Sequence, residues 1–297
     1  METERFSPRY ADIDLWEPDD ILDAMIEAQF SAVAAVRAAR PAVAEAGLAM
    51  AERLREKGRI VYVGAGTSGR LAAQDGAELM PTFGWPRERL LLLIAGGPEA
   101  LFKAVEGAED EVRQAEELVE QHGIGAEDAM IGVAASGTTP FTLSCQRAAR
   151  ARGALAIGIA NNPDTPLLKV SDHPILLGTG AEPIAGSTRM TAATAQRIVL
   201  NLLSSLMMIR LGRVYRGLMI DVRATNRKLV RRAEAMLRHL TGRGPDDVRA
   251  ALAATEGNVK LAVLVLHGCD VDKARRILND AQGRLRDALA MIGVTEP

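Results

Sequence analysis

Apolar residues along the chain recur with two spacings, and these divide it into helices and strands. Residues 21–57, rich in Ala, Glu and Arg, predict a helix, and Pro41, which has no amide hydrogen, predicts a break near its middle. After Gly58 the run 59–63 is short, apolar and β-branched, as a strand covered on both faces would be. Helical spacing returns over 70–79. Leu90 to Ala95 predicts a second strand, closed by Gly96-Gly97, and 100–121 predicts a charged helix. Residues 129–135 predict a third strand, 141–152 a helix, 154–159 a fourth strand and 174–177 a short fifth. Strands alternating with helices imply a parallel sheet with helices on both faces, the α/β class. Residues 187–240 carry a helical pattern interrupted only by Gly212 and Gly217, and 245–290 predicts three short helices, a compact appendage.

Composition narrows the class of function. The 297 residues are 48% hydrophobic and 25% charged, which excludes disorder. Thirty-six basic against 38 acidic residues leave a formal charge of −2, so there is no basic field for nucleic acid. Aromatic residues are 3%, too few for base-stacking platforms. Two cysteines, Cys145 and Cys269, fit a reducing compartment better than a disulfide scaffold. The first residues carry acids and no apolar core, unlike a secretory signal, and no continuous apolar run reaches about 18 residues, so no membrane span is expected. The four histidines show no metal-ligand spacing, and neither a metal nor a cofactor is expected.

Two loops carry the candidate chemistry. Gly64-Ala65-Gly66-Thr67-Ser68-Gly69 follows the first strand and opens a helix. Its G-x-G-x-x-G spacing is that of a dinucleotide fingerprint, but the next strand ends without the acid that would hold a ribose. The hydroxyls of Thr67 and Ser68 instead sit where helix amides and the helix dipole favour an anion. Ser136-Gly137-Thr138-Thr139 occupies the equivalent place after the third strand. Ser and Thr are also ordinary helix caps. Two such loops at the carboxyl ends of parallel strands nevertheless point to a phosphate or sugar site. Asp75 and Glu78, and likewise Glu106 and Glu109, are three apart, as two acids on one helix face would be, within reach of general acid–base work.

With these motifs in order, the chain closely resembles the N-acetylmuramic acid 6-phosphate etherases. The resemblance rests on Gly64 to Leu71, Asp75 and Glu78, and on Ile94-Ala-Gly-Gly-Pro-Glu-Ala100 and Ala104-Val-Glu-Gly-Ala-Glu-Asp110. It continues through Gly132 to Gly137, Gly186-Ser-Thr-Arg-Met190, Thr194-Ala-Gln196, Gly212-Arg-Val-Tyr215, Asp221-Val222 and Ala224-Thr-Asn226. It implies a sugar isomerase (SIS) domain, a five-stranded parallel sheet between helices, over residues 1–240. For 241–297 it implies a ubiquitin-associated-like helical bundle. The broader group includes the glucokinase regulatory protein.

The resemblance further implies cleavage of the D-lactyl ether of the phosphosugar, with Glu78 as proton donor and Glu109 as the base at C2. By the same resemblance Thr67, Ser68, Ser136, Gly137, Thr138 and Thr139 bind phosphate and sugar, and Ser187 lines the cleft. It implies a homodimer that needs no cofactor, and the lack of a targeting segment fits the cytoplasm. Four positions depart from the usual pattern: Thr138 stands where the family has Arg, Thr191 where it has Lys, Ala193 where it has Gly, and Asn161 where it has Cys. The two missing basic groups leave open a non-catalytic phosphosugar-binding regulator or a phosphosugar isomerase.

Overall fold

The computed structural model describes residues 1–221 and 227–294, and within these the chain forms two compact units. The first comprises residues 1–77 and 87–206; the second comprises 78–86 and 207–297. Val222, Ala224, Thr225 and Asn226, quoted above for the resemblance, lie outside the described residues, as do 295–297.

The first unit is built on a five-stranded parallel sheet of β1 (Ile60–Gly64), β2 (Leu90–Ile94), β3 (Ala129–Val133), β4 (Leu155–Ala160) and β5 (His173–Leu176). The strand order is β2-β1-β3-β4-β5, with every pair parallel. Strands β1, β3 and β4 are buried along their whole length, which their unbroken apolar runs predict. After β1 the chain adds β2 on one side, then crosses to place β3 on the other. The order thus reverses between β1 and β3, and the carboxyl edge there is where open parallel sheets bind their ligands.

Helix α1 (Pro18–Arg53) packs on β4 and β5. It begins with proline at its first turn, followed by Asp19 and Asp20, which complement the helix dipole. α2 (Gly66–Phe83) follows β1, and α3 (Val112–Gln121) packs on α4 (Pro140–Ala151). Val61, Val63, Met130, Val119, Phe141 and Cys145 form the core beneath α3 and α4. α5 (Pro166–Lys169) is a single turn, and α6 (Thr191–Arg210) buries Ala192, Ala195, Val199, Leu200 and Leu203. Gly47 lets α1 meet Leu206 at a distance that leaves no room for a methyl group: a Cβ there would lie 2.7 Å from Cδ2.

Among its described residues the second unit holds a two-stranded hairpin, β6 (Val214–Tyr215) and β7 (Leu218–Met219), and five helices. These are α7 (Arg227–Thr241), α8 (Pro245–Ala254), α9 (Val259–Leu266), α10 (Val271–Asp280) and α11 (Leu285–Met291). Its core gathers Leu237, Val248, Leu264, Ala274 and Ala288. Asp221 pairs with Arg213 at 3.0 Å and with Lys260 at 3.2 Å. Burial lowers the affinity of both cations for their protons.

Four sequence expectations are corrected. Pro41 does not break α1. Both Pro41 and Arg37, whose carbonyl loses its helical partner, are exposed, so water can take the freed oxygen. Residues 100–121 are not one helix: two short 3-10 turns (Pro98–Leu101 and Ala108–Asp110) precede α3, and Gly107 at φ 71° separates them from a continuous helical path. The span 187–240 is interrupted by the hairpin, because Arg216 and Gly217 both take positive φ, as a two-residue β-turn requires. The tail has four helices, not three. Among the described residues α6 alone is long and apolar enough to cross a membrane by length and average composition, which does not overturn the expectation of no membrane span. More than half of it is buried, as in the core helix of a globular unit.

Candidate active site

The β1–α2 loop is shaped by close approach of backbone to backbone. A Cβ on Gly64 would lie 2.8 Å from the Gly69 nitrogen, and one on Gly69 would lie 2.8 Å from the Gly64 oxygen. Only glycine at both ends lets α2 start directly on the strand. The Gly69 amide closes the first turn onto Ala65. The amides of Gly66, Thr67 and Ser68 belong to the first turn, whose N–H groups have no intrahelical acceptor. Thr67 is half-buried and Ser68 buried.

The β3–α4 loop stands on the neighbouring strand, with Gly64 paired to Val133. The Ser136 hydroxyl accepts from the Thr138 amide at 3.2 Å and lies 3.4 Å from the Thr139 hydroxyl. Thr139 precedes Pro140 at the start of α4, and Thr138 is exposed. Gly137 takes φ +66°, and its carbonyl accepts from Leu167 at 3.0 Å. A Cβ there would come within 2.3 Å of the Thr165 hydroxyl oxygen, a buried atom with no hydrogen-bond partner among the described residues. The two hydroxyl loops expected from sequence therefore leave adjacent strands at the switch point.

A third segment leaves the same edge of the sheet after β2. Arg70 on α2 holds it, donating to Ala100 O at 2.8 Å and to Lys103 O at 3.2 Å. Glu109 lies on the 3-10 turn Ala108–Asp110 and is exposed, as is Glu106. The expected shared helix face for these two acids does not exist, because the segment is not helical there. Glu78 is exposed on the last third of α2 and belongs to the second unit, whereas Glu109 belongs to the first. Asp75 is separated from Glu78 in environment. It is buried, accepts from the Tyr62 hydroxyl at 2.8 Å and pairs with Arg197 at 3.3 Å. Burial raises its pKa against the pull of these donors. Asp75 is thereby engaged in holding α2 to β1 and α6.

Sequence reasoning missed the groups behind the loop of Ser187. Glu182 is buried and accepts from the amides of Thr191 at 2.9 Å and Ala192 at 2.8 Å, a side-chain cap on α6. Nine residues separate it from Thr191, so no capping spacing advertises it. Asn161 donates to Leu177 O at 3.1 Å and accepts from Gln196 at 2.8 Å, tying β4 to β5 and α6. Thr191 is buried, and its hydroxyl has no partner among the described residues.

This strand order and these loops define the class: a model of the SIS domain matches residues 99–206, and that of the glucokinase regulatory protein N-terminal SIS domain matches 42–150. A phosphoheptose isomerase structure from Francisella tularensis shares the fold, with TM-score 0.50 and 20% identity over 65% of this chain and 98% of that one. The chain is 50% identical to an N-acetylmuramic acid 6-phosphate etherase of Deinococcus radiodurans, over 97% of this chain and 94% of that protein. It is 43% identical to a protein of the same name from Rubrobacter xylanophilus, over 97% of this chain and 96% of the relative. The chain belongs to the N-acetylmuramic acid 6-phosphate etherase family.

Proposed function

We propose that the protein cleaves the D-lactyl ether of N-acetylmuramic acid 6-phosphate, giving N-acetylglucosamine 6-phosphate and D-lactate. The observation that carries this reading is the pair of hydroxyl-lined loops, Thr67–Ser68 and Ser136–Thr139, on adjacent strands at the switch point. Amides and hydroxyls there bind a phosphosugar without a cation. An ether is a poor electrophile, but the open-chain sugar has an aldehyde at C1 that acidifies the C2 hydrogen. Glu109 removes that proton, the C–H electrons form the C2–C3 double bond, and lactate leaves C3 as Glu78 protonates its oxygen. Water then adds at C3, giving a proton back to Glu78, and C2 is reprotonated by Glu109 after its proton has exchanged with solvent. General acid–base assistance contributes about 10²–10⁴-fold per group. The experiment is turnover in ¹⁸O-labelled deuterated water by wild type, Glu78→Gln and Glu109→Gln. The account expects ¹⁸O in the sugar, deuterium at C2, and at least a hundredfold loss in each variant. Label in the lactate, or turnover intact in either variant, rejects the assigned roles.

We also infer a homodimer. Leu22, Ile26, Phe30 and Val33 form an apolar stripe on α1, each more than half exposed. An antiparallel second copy, with its two-fold axis near Phe30, sets Ile26 opposite Val33, Asp19 opposite Arg40 and Asp23 opposite Arg37. The free, buried cysteines of the chain suit the cytoplasm, where this reading places the reaction. The bundle from residue 241 onward is read as ubiquitin-associated-like, on the strength of its helical core.

A further inference from the structure

The first residues of the chain are built into the carboxyl edge of the sheet. Thr3 is fully buried, 159 positions before the asparagine that holds it. Its amide donates to Asn162 Oδ1 at 3.2 Å, and Asn162 Nδ2 donates back to the Thr3 hydroxyl at 2.9 Å. The same Nδ2 also donates to the carbonyl of Ala135, at 2.9 Å, the residue before Ser136. The Thr3 carbonyl accepts from the amide of Gly186 at 3.2 Å, the residue before Ser187. The Glu4 carboxylate lies over Gly186, where a Cβ would fall 2.8 Å from Oε2. Thr3 therefore uses its amide, carbonyl and hydroxyl to join two loops that come from distant parts of the first unit.

We propose that Thr3 is a positioning residue for the phosphosugar: with Asn162 it fixes the Ser136 loop relative to the Ser187 loop. The proposal rests on the reading of these loops as the phosphosugar site. Buried polar groups satisfied on every side hold one geometry, because any displacement leaves a donor or acceptor unpaired. A strap of this kind affects how well the ground state is held, without touching the reacting atoms. Its signature is a change in KM and in ligand affinity, with kcat unaltered.

The test compares the full-length wild type with Thr3→Val, which keeps the shape and removes the hydroxyl, and Thr3→Ser, which restores it. KM and kcat are measured with N-acetylmuramic acid 6-phosphate, affinity with N-acetylglucosamine 6-phosphate by calorimetry, and Tm alongside. Thr3→Val is expected to raise KM and weaken affinity about tenfold, the scale of one lost buried hydrogen bond, with kcat within about twofold and Thr3→Ser close to wild type. Unchanged KM and affinity in Thr3→Val overturn the proposal, whether or not Tm falls, since a role in stability alone moves only Tm. A wild type without turnover rejects the etherase reading; the product-affinity comparison still decides the strap, and a wild type that binds no sugar phosphate overturns both.

Discussion

Gly137→Ala isolates the geometry of the second hydroxyl loop. At φ +66° an L-residue costs about 1–2 kcal/mol. The added Cβ would also stand 2.3 Å from Thr165 Oγ1 and 2.5 Å from Thr165 Cβ. That overlap cannot be relieved by rotating a side-chain tip, because the β-carbon itself is in the way, and overpacking of this kind costs about 1–3 kcal/mol. The expected loss is therefore about 2–5 kcal/mol. Gly123 supplies the control: it takes φ +56°, and a methyl group there would find nothing within 4 Å, so Gly123→Ala costs only the backbone share, about 1–2 kcal/mol. Urea unfolding monitored by circular dichroism reads both as midpoint shifts at equal slope. The account expects Gly137→Ala to be the worse by about 1–3 kcal/mol, and also to weaken sugar-phosphate binding. Equal losses in the two variants refute the claim that Thr165 walls the loop.

Tyr62→Phe removes one donor to Asp75 and is expected to cost about 1 kcal/mol, while Asp75→Ala leaves a buried hydroxyl without its acceptor and costs about 2–3 kcal/mol, both read by urea unfolding. Burial alone would raise the Asp128 pKa, but hydrogen bonds from the Arg59 side chain and from the Gly125 and Arg59 amides outweigh it and hold it low. The folded state thus releases this proton more readily than the unfolded chain, so its contribution is present above the ordinary Asp range and is lost as pH falls through the lowered value. Asp128→Asn should flatten the acid limb of a stability–pH curve, and an unchanged limb contradicts the assignment. Phe30→Glu should convert the dimer to monomer in sedimentation equilibrium; a wild-type monomer, or a dimeric variant, rejects the α1 interface.

Much of the fold was legible because its signals are local. Buried parallel strands leave unbroken apolar runs, as at Ile60–Gly64 and Ala129–Val133, and glycine marks where α2 starts on β1. The errors came where local signals compete with context. Pro41 reads as a breaker, yet the exposed flank of α1 tolerates it. The Arg216-Gly217 turn is two residues long and hides inside helical spacing. In the site, the loops at Thr67–Ser68 and Ser136–Thr139 were readable because each follows a strand and opens a helix. The groups that hold them were not readable. Asn162 meets Thr3 across 159 residues, and Asp75 meets Arg197 across 122. Asp75 and Glu78 looked alike three residues apart, and only burial separates the ion-paired acid from the exposed one.

The central claim is ether cleavage on a phosphosugar by a chain that lacks the basic groups expected at Thr138 and Thr191. Incubating the purified protein with N-acetylmuramic acid 6-phosphate and following D-lactate enzymatically, with Glu78→Gln as control, tests it most directly. The account predicts lactate and N-acetylglucosamine 6-phosphate in equal amounts from the wild type, with release at least a hundredfold slower in the variant. Sugar phosphate bound but never cleaved by the wild type would contradict it.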